Sequence, residues 1–260
     1  MISWEQSINI KTPQEIEIMR EAGRINAEAL QAAVSLIEPG VTTAELNAAF
    51  EAVHRQYGVY SPFKNYPGPY PYPASICTSV NEELVHGIPG DRKLEEGDIV
   101  SIDCGTVYQG FVGDMAVTVG VGEVSPDAKR LIKATEHALK LAIANLVTNN
   151  TIGDIGFAVQ TYVENQGYHV TRMYTGHGVG RKMHEGPQVP NYGKPGRGVR
   201  LREGMTIALE PMVLVGTPDT VVKADQWTVA SADGSLTAHF EHTVAVTADG
   251  PMILTLLSEN

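Results

Sequence analysis

The sequence predicts an α+β fold made of two similar halves. Each half contains two segments with helical periodicity, followed by segments with strand-like alternation. Three short motifs also recur in the same order in both halves. We therefore expect a single domain over residues 1–260, with halves of about 12–121 and 125–250, rather than two independent domains.

The first half begins with two predicted helices. Thr12 is the expected N-cap of the first helix, because Glu15 three residues later completes a capping box. Apolar residues at helical spacing continue this helix to about residue 37, just before Pro39. The second helix starts at Thr42, which Glu45 follows at the same spacing.

Residues 60–73 form a predicted loop with five prolines and four tyrosines. Proline blocks a helix at nearly every step of this stretch. The loop is either a surface segment stiffened by proline or an aromatic wall over a site, and its apolar character is the argument for the second interpretation.

The remaining elements alternate between strands and helices. Predicted strands cover residues 75–80, 99–104 and 115–121. In the second half, Ser125 opens a third helix and a fourth covers residues 155–166. Further strands follow at 170–174, 206–210, 227–231 and 237–246, and Asp233-Gly234 is a predicted hairpin turn between the last two.

The internal repeat brings acidic residues to equivalent places. In both halves a Leu is followed by a Gly three residues later and by a carboxylate nine residues later, at the end of an apolar strand. A second carboxylate heads a Val-x-Val strand in each half, and a His-containing motif ending in Pro also recurs. The matched pairs are Asp103 with Glu210, Asp114 with Glu241, and His86 with His184.

Four carboxylates at the ends of apolar strands need a compensating charge. A single one is usually neutralised by a salt bridge or a helix N-terminus. Four that converge would repel one another strongly unless cations lay between them. The four strands contain no Lys or Arg, so we expect metal ions. Carboxylates with one or two imidazoles suit divalent Mn, Fe, Co or Zn, and two ions can together activate water and polarise a carbonyl.

Other chemistries are not supported by the motifs. His177 lies in a Gly-x-Gly-x-Gly run that is neither a dinucleotide fingerprint nor a P-loop. We interpret these glycines as allowing close backbone approach, so that the imidazole can face a site. The sequence has no His-Glu-x-x-His helix, Gly-x-Ser-x-Gly elbow or Cys-x-x-Cys motif. His54, His137 and His169 are expected to be surface or packing residues.

Charge and composition limit the partners and the compartment. Thirty acidic against 19 basic residues give a net charge of -11, which argues against a nucleic-acid partner. No run of 18 apolar residues occurs, so we expect no membrane association. Cys77 and Cys104 cannot form a disulfide framework and are interpreted as small buried residues, so we expect a cytoplasmic protein.

At these residues the sequence resembles the type I, bacterial-like methionine aminopeptidases. The resemblance spans nearly the whole chain. It implies the pita-bread fold, a pseudo-two-fold duplication with helices outside an antiparallel sheet, and it implies a monomer. The matching segments are 79–89, 99–103, Gly113-Asp114, 176–185, Glu210-Pro211 and 241–244.

The resemblance also implies a mechanism. Two divalent metal ions (Co, Mn, Fe, Zn or Ni) would be held by Asp103, Asp114, His177, Glu210 and Glu241, with Asp114 and Glu241 bridging. Glu210 would also act as general base. His86 would contact the substrate N-terminus or the scissile amide, and His184 would contact the carbonyl. The implied reaction removes the initiator methionine from peptides and nascent chains when the next residue is small.

A methionine side chain needs an apolar, polarisable pocket. The candidate pocket residues are Tyr72, Cys77, Met183 and Trp227. Met183 departs from the family, in which Phe often precedes the second histidine, and residues 60–73 also differ from the commoner pattern.

Two alternatives remain. One is an Xaa-Pro aminopeptidase or prolidase-like dipeptidase, although such chains usually carry an extra N-terminal domain and about ten residues precede the first predicted helix here. The other is a catalytically inactive peptide-binding module, which the intact set of ligand residues argues against.

Overall fold

A computed structural model describes residues 8–257. Residues 1–7 and 258–260 of the predicted domain lie outside the described range. In chain order the elements are α1 (Pro13–Val34), α2 (Thr43–Tyr57), β1 (Ile76–Val80), β2 (Glu83–Val85), β3 (Ile99–Tyr108), β4 (Phe111–Gly120), α3 (Pro126–Ala144), α4 (Ile152–Asn165), β5 (His169–Val170), β6 (Gly176–Gly178), β7 (Glu185–Val189), β8 (Thr206–Leu209), β9 (Met212–Leu214), β10 (Thr220–Val222), β11 (Val229–Ser231), β12 (Thr237–His239), β13 (Glu241–Thr247) and β14 (Gly250–Ile253).

The helix starts confirm the capping predictions. The Thr12 hydroxyl accepts the backbone N–H of Glu15 at 3.2 Å, while the Glu15 carboxylate accepts the backbone N–H of Thr12 at 3.0 Å. Thr42 begins α2 in the same way. The first helix ends at Val34, before the predicted limit, because Ser35 forms its C-cap and its hydroxyl donates to the Gln31 carbonyl.

In the main sheet, strands from the first half of the chain lie on one side of the centre and strands from the second half lie on the other. Strands β4 and β13 pair antiparallel in the middle; β3 and then β1 lie outward from β4, whereas β8 and then β6 lie outward from β13. Strand β7 continues beyond β6, and β14 pairs with β13. The α+β class predicted from the sequence is confirmed. The acidic residues of the repeat lie on or directly after the four central strands, which brings them together.

The helices cover one face of this sheet and leave the other for the site. Ile102 and Cys104 of β3 are buried in a cluster that includes Leu46 and Phe50 of α2. Because side chains alternate along a strand, Asp103 points to the opposite face. Helices α3 and α4 pack on the second half in a larger apolar cluster. No helix within residues 8–257 is long and apolar enough to cross a bilayer.

Several predicted boundaries in the second half are wrong. The segment predicted as one strand over 237–246 is two strands, β12 and β13, and the strand predicted over 170–174 is only His169–Val170. The hairpin predicted at Asp233-Gly234 does not form, because β11 pairs with β10 and β2 while β12 pairs with β9. Helix α4 starts at Ile152, earlier than predicted, since Thr151 and Asp154 form its capping box.

Candidate active site

All eleven residues singled out from the sequence line one cavity of about 160 Å³. Nine of them form two groups. The carboxylates and His177 form a polar end, and the sulfur-containing and aromatic residues form an apolar end, with His86 and His184 also in the lining. The other lining residues are Phe63, Tyr66, Val85, Tyr174, Thr175 and Met212.

The register of the central strands explains why the carboxylates meet. Cys77, Asp103, Ala116 and Glu241 lie opposite one another across β1, β3, β4 and β13. Residues opposite one another in a sheet project from the same face, so Asp103 and Glu241 flank the small side chain of Ala116. Asp114 lies two residues before Ala116 and therefore projects from the same face.

The same rule brings in the second half of the site. Ala208 of β8 lies opposite both Thr243 of β13 and His177 of β6. Glu210 follows Ala208 by two residues, so Glu210 and His177 share the face that carries Glu241. The Thr243 hydroxyl accepts from the Asp114 backbone N–H at 3.0 Å and donates to the Asp114 carbonyl at 2.9 Å. This pair fixes the main chain at the acidic centre.

The carboxyl groups are buried and unbalanced by positive side chains. Asp114 and Glu241 are 1% and 2% exposed. Burial raises the pKa of Asp103 to about 7. Burial and then the neighbouring carboxyl groups hold the pKa values of Asp114, Glu210 and Glu241 well above their ordinary range. The cavity lining within residues 8–257 includes no Lys or Arg, which agrees with the sequence prediction.

The donor atoms fit a metal site. One carboxyl oxygen on each of Asp103, Asp114 and Glu241 is buried without a hydrogen-bond partner. Such unpaired acceptors are costly unless a cation compensates them. Two groups of residues place their ligand atoms within 4.8 Å of one another: Asp114, His177 and Glu241, and Glu210, His239 and Glu241. Glu241 belongs to both groups, whereas Asp103 belongs to neither.

His177 is oriented by its own strand. Its Nδ1 lies 2.9 Å from the Gly178 carbonyl, and a carbonyl can only accept, so Nδ1 carries the proton and Nε2 is free to bind a metal. Nε2 lies 3.6 Å from Asp114 Oδ2 and 3.5 Å from Glu210 Oε1. The glycines beside it lie in strand β6 rather than in a loop. A Cβ at Gly178 would overlap the Gly186 carbonyl, which confirms the expected close backbone approach.

His86 has an unusual backbone conformation. Its φ is +62°, which is uncommon for a residue other than glycine and is often found at functional sites. Its ring makes edge contacts with Tyr174 and Trp227. Burial lowers the pKa of His86 to about 4, so the imidazole is neutral at pH 7.

His184 lies beside the loop formed by residues 60–73. The Tyr66 hydroxyl lies 2.7 Å from its Nδ1. His86 follows β2 and His184 precedes β7, and the predicted equivalence of the two histidines stays a prediction. Both nevertheless reach the same cavity.

The apolar end of the cavity contains all four predicted pocket residues. Tyr72 and Cys77 are buried, and Tyr72 packs edge-on against Trp227 with ring centroids 5.1 Å apart. Met183 packs in the same cluster. Phe63, Tyr66 and Tyr72 all come from residues 60–73, so this loop is an aromatic wall over the site, as one of the two interpretations predicted.

Sequence inspection missed His239. This residue is 1% exposed, and burial lowers its pKa to about 3. Its position two residues before Glu241 was the available signal, since alternate residues of an extended chain share a face. Phe63 and Tyr66 were also missed, because a proline-rich loop has no periodicity from which to assign facing.

Comparisons with known proteins agree with this site. Residues 17–248 match the model of metallopeptidase family M24. A methionine aminopeptidase of Clostridium acetobutylicum is 49% identical, over 96% of this chain and 99% of that protein. The crystal structure of methionine aminopeptidase from Thermotoga maritima superposes with a TM-score of 0.92 at 48% identity, covering 95% of this chain and 99% of that one.

A prolidase is a more distant structural relative. The enzyme from Pyrococcus furiosus has a TM-score of 0.77 and 26% identity, and although 96% of this chain is covered, only 66% of the prolidase chain is. The likeness to both kinds of enzyme confirms the pita-bread fold. The similarity over almost the full length of both chains favours the first kind. The protein therefore belongs to metallopeptidase family M24 and, within it, to the methionine aminopeptidases.

Proposed function

We propose that this protein is a metal-dependent aminopeptidase that removes the N-terminal methionine from peptides and nascent chains when the second residue is small. The observation that carries this proposal is the single cavity in which buried carboxylates and imidazoles adjoin a small apolar pocket. We further propose that the chain acts in the cytoplasm as a monomeric domain of two similar halves.

The residues that would hold the metal are those with unpaired or closely spaced donor atoms. We assign Asp103, Asp114, His177, Glu210 and Glu241 as ligands of two divalent ions drawn from Co, Mn, Fe, Zn and Ni. Glu241 is a bridging candidate because it belongs to both ligand groups, and Asp114 is the second. When bound, such ions supply Lewis acidity, which lowers the pKa of water and polarises a carbonyl.

The protein side chains would move the protons and orient the substrate. Glu210 would accept a proton from the attacking water and pass it to the leaving amine. Its side chain is 13% exposed and lines the cavity. His86 would contact the substrate N-terminus or the scissile amide. His184 would hydrogen-bond the carbonyl oxygen as negative charge develops there.

The apolar end of the cavity suits one methionine side chain. The whole cavity, polar end included, has a volume of about 160 Å³, comparable to a cavity that holds one benzene-sized molecule, so its apolar end can take no more than one side chain. Cys77 and Met183 contribute polarizable sulfur, while Tyr72 and Trp227 contribute aromatic faces. Sulfur and aromatic groups make favourable contacts with a thioether. These features favour methionine over the proline-directed alternative.

The test is hydrolysis of a peptide panel by the metal-loaded protein. We expect release of methionine from Met-Ala-Ser and little cleavage of Ala-Pro peptides. The matched comparison is Met-Leu-Ser, whose larger second residue should be processed poorly. Turnover of Ala-Pro peptides with none of Met-Ala-Ser would overturn the assignment. Absence of turnover on every peptide by a protein that binds metal would favour the inactive binding module.

A further inference from the structure

The imidazole of His239 is buried without a hydrogen-bond partner. The residue is 1% exposed, and neither Nδ1 nor Nε2 makes a hydrogen bond. A buried neutral imidazole normally donates one hydrogen bond and accepts another. Leaving both nitrogens unpaired is costly. The five predicted metal ligands do not explain why an unpaired imidazole is buried here.

The imidazole faces the acidic centre. His239 Nε2 lies 3.7 Å from Glu210 Oε2 and 3.8 Å from Glu241 Oε2. Both distances exceed that of a hydrogen bond. They resemble the spacings from His177 Nε2 to its two carboxylate neighbours, which are 3.5 Å and 3.6 Å. Two atoms that each bind one ion at about 2.1 Å can be at most about 4.2 Å apart, so these spacings allow a shared ion.

The main chain holds His239 in place from two sides. On β4, the Thr118 hydroxyl accepts the His239 backbone N–H and donates to the His239 carbonyl, both at 2.8 Å. On β9, Met212 is the antiparallel partner of His239. Phe240 packs into the large apolar cluster of the second half. The backbone of His239 is therefore fixed on both sides, as the Asp114 backbone is by Thr243.

We propose that His239 is a direct ligand of the ion held by Glu210 and Glu241. This inference rests on the proposed function, because it assumes a two-metal site. It assigns one imidazole to each group of ligand atoms: His177 to the group with Asp114 and Glu241, and His239 to the group with Glu210 and Glu241. Glu210 lies between them, with Oε1 towards His177 and Oε2 towards His239.

The extra imidazole has a consequence for metal preference. Imidazole nitrogen suits Fe, Co, Ni and Zn better than Mn, for which carboxylate oxygen is the better ligand. His239 therefore favours the borderline metals at its position. Replacement of His239 by an oxygen-donating side chain should reduce the affinity for Co²⁺ more than the affinity for Mn²⁺.

The test is a titration of the metal-free full-length protein with Co²⁺, followed by X-ray absorption to count imidazole ligands. The loaded wild-type protein should average one imidazole per ion, and His239→Gln should have half that number. The affinity of the weaker Co²⁺ site should fall at least about tenfold in the variant, with a smaller change for Mn²⁺. His137→Gln removes an exposed imidazole on α3 and should match the wild type.

The outcomes separate this inference from the proposed function. One imidazole per two ions in the wild type overturns the His239 assignment and leaves the metal site intact, and this measurement does not depend on any variant folding. An unchanged ligand count and affinity in His239→Gln has the same meaning. His177→Gln should also lose one imidazole. Failure of the wild type to bind Co²⁺ would overturn both the inference and the proposed function.

Discussion

The hydroxyl of Tyr66 lies 2.7 Å from Nδ1 of His184. This contact joins the proline-rich loop to the histidine that we assign to the substrate carbonyl. The loop also supplies Phe63 and Tyr72 to the cavity. One segment thus contributes both to the pocket and to the orientation of a polar group in the site.

We predict that Tyr66→Phe lowers kcat/KM for Met-Ala-Ser about three- to tenfold, the effect of losing one hydrogen bond. Because the phenyl ring keeps the aromatic wall, thermal stability should change little. Tyr60→Phe, at the exposed start of the same loop, is the matched control. Equal kcat/KM values in the two variants would show that the hydroxyl does not orient His184.

We predict that Gly178→Ala destabilises the protein by about 1–3 kcal/mol and reduces activity. The added methyl group would overlap the carbonyl of Gly186, so β6 and β7 would separate and His177 would move. Urea unfolding gives the free energy, and Met-Ala-Ser hydrolysis gives the activity. Gly90→Ala, where no atom lies within 4 Å of the added carbon, should behave like the wild type. A Gly178→Ala protein as stable and active as Gly90→Ala would contradict this account.

We predict that Lys11→Met costs about 3 kcal/mol or more of unfolding free energy. Lys11 Nζ lies 2.6 Å from Glu185 Oε2, and the two side chains are only 4% and 3% exposed. Removal of the lysine leaves a buried carboxylate without its cationic partner, although the Lys182 backbone N–H still donates to Oε1 of Glu185, so adding Glu185→Gln should restore part of the stability. Lys140→Met breaks an exposed pair with Glu136 and should cost below about 1 kcal/mol. Similar losses in the two single variants would argue against a buried pair.

We predict that His54 makes the protein less stable as pH falls from about 6.5 to 4. Burial lowers its pKa to about 4, opposed by the weaker attraction of Glu51. In this window the unfolded chain binds a proton that the folded chain does not, so stability decreases by up to about 1.4 kcal/mol per pH unit. Urea unfolding at pH 7 and pH 5 should show a smaller decrease for His54→Gln than for the wild type. If the unfolding free energies of the wild type and His54→Gln fell equally between pH 7 and pH 5, His54 would not be a source of the pH dependence.

Local signals explain what could be predicted about the fold. The capping boxes at Thr12 and Thr42 depend on residues three apart, so the sequence alone places both helix starts. Strand alternation likewise places Asp103 on the face opposite Ile102 and Cys104. The hairpin at Asp233-Gly234 was wrong because its two strands find partners in different sheets, and this choice depends on distant residues.

The internal sequence repeat made part of the site predictable. Four carboxylates at matched strand ends could be recognised in the sequence, and the register of β3, β4 and β13 explains why they meet. His239 has no matched partner in the repeat and was missed. The contact of Tyr66 with His184 joins residues 118 positions apart, which no local pattern predicts.

The central claim is that the buried carboxylates and imidazoles hold metal for the removal of methionine. The most direct measurement is the rate of methionine release from Met-Ala-Ser before chelation, after removal of metal, and after addition of Co²⁺ or Mn²⁺. We expect activity to be abolished by chelation and restored by a divalent ion in the wild type, with no restoration in His177→Ala. Activity that persists in the metal-free protein, or full activity of His177→Ala, would contradict this account.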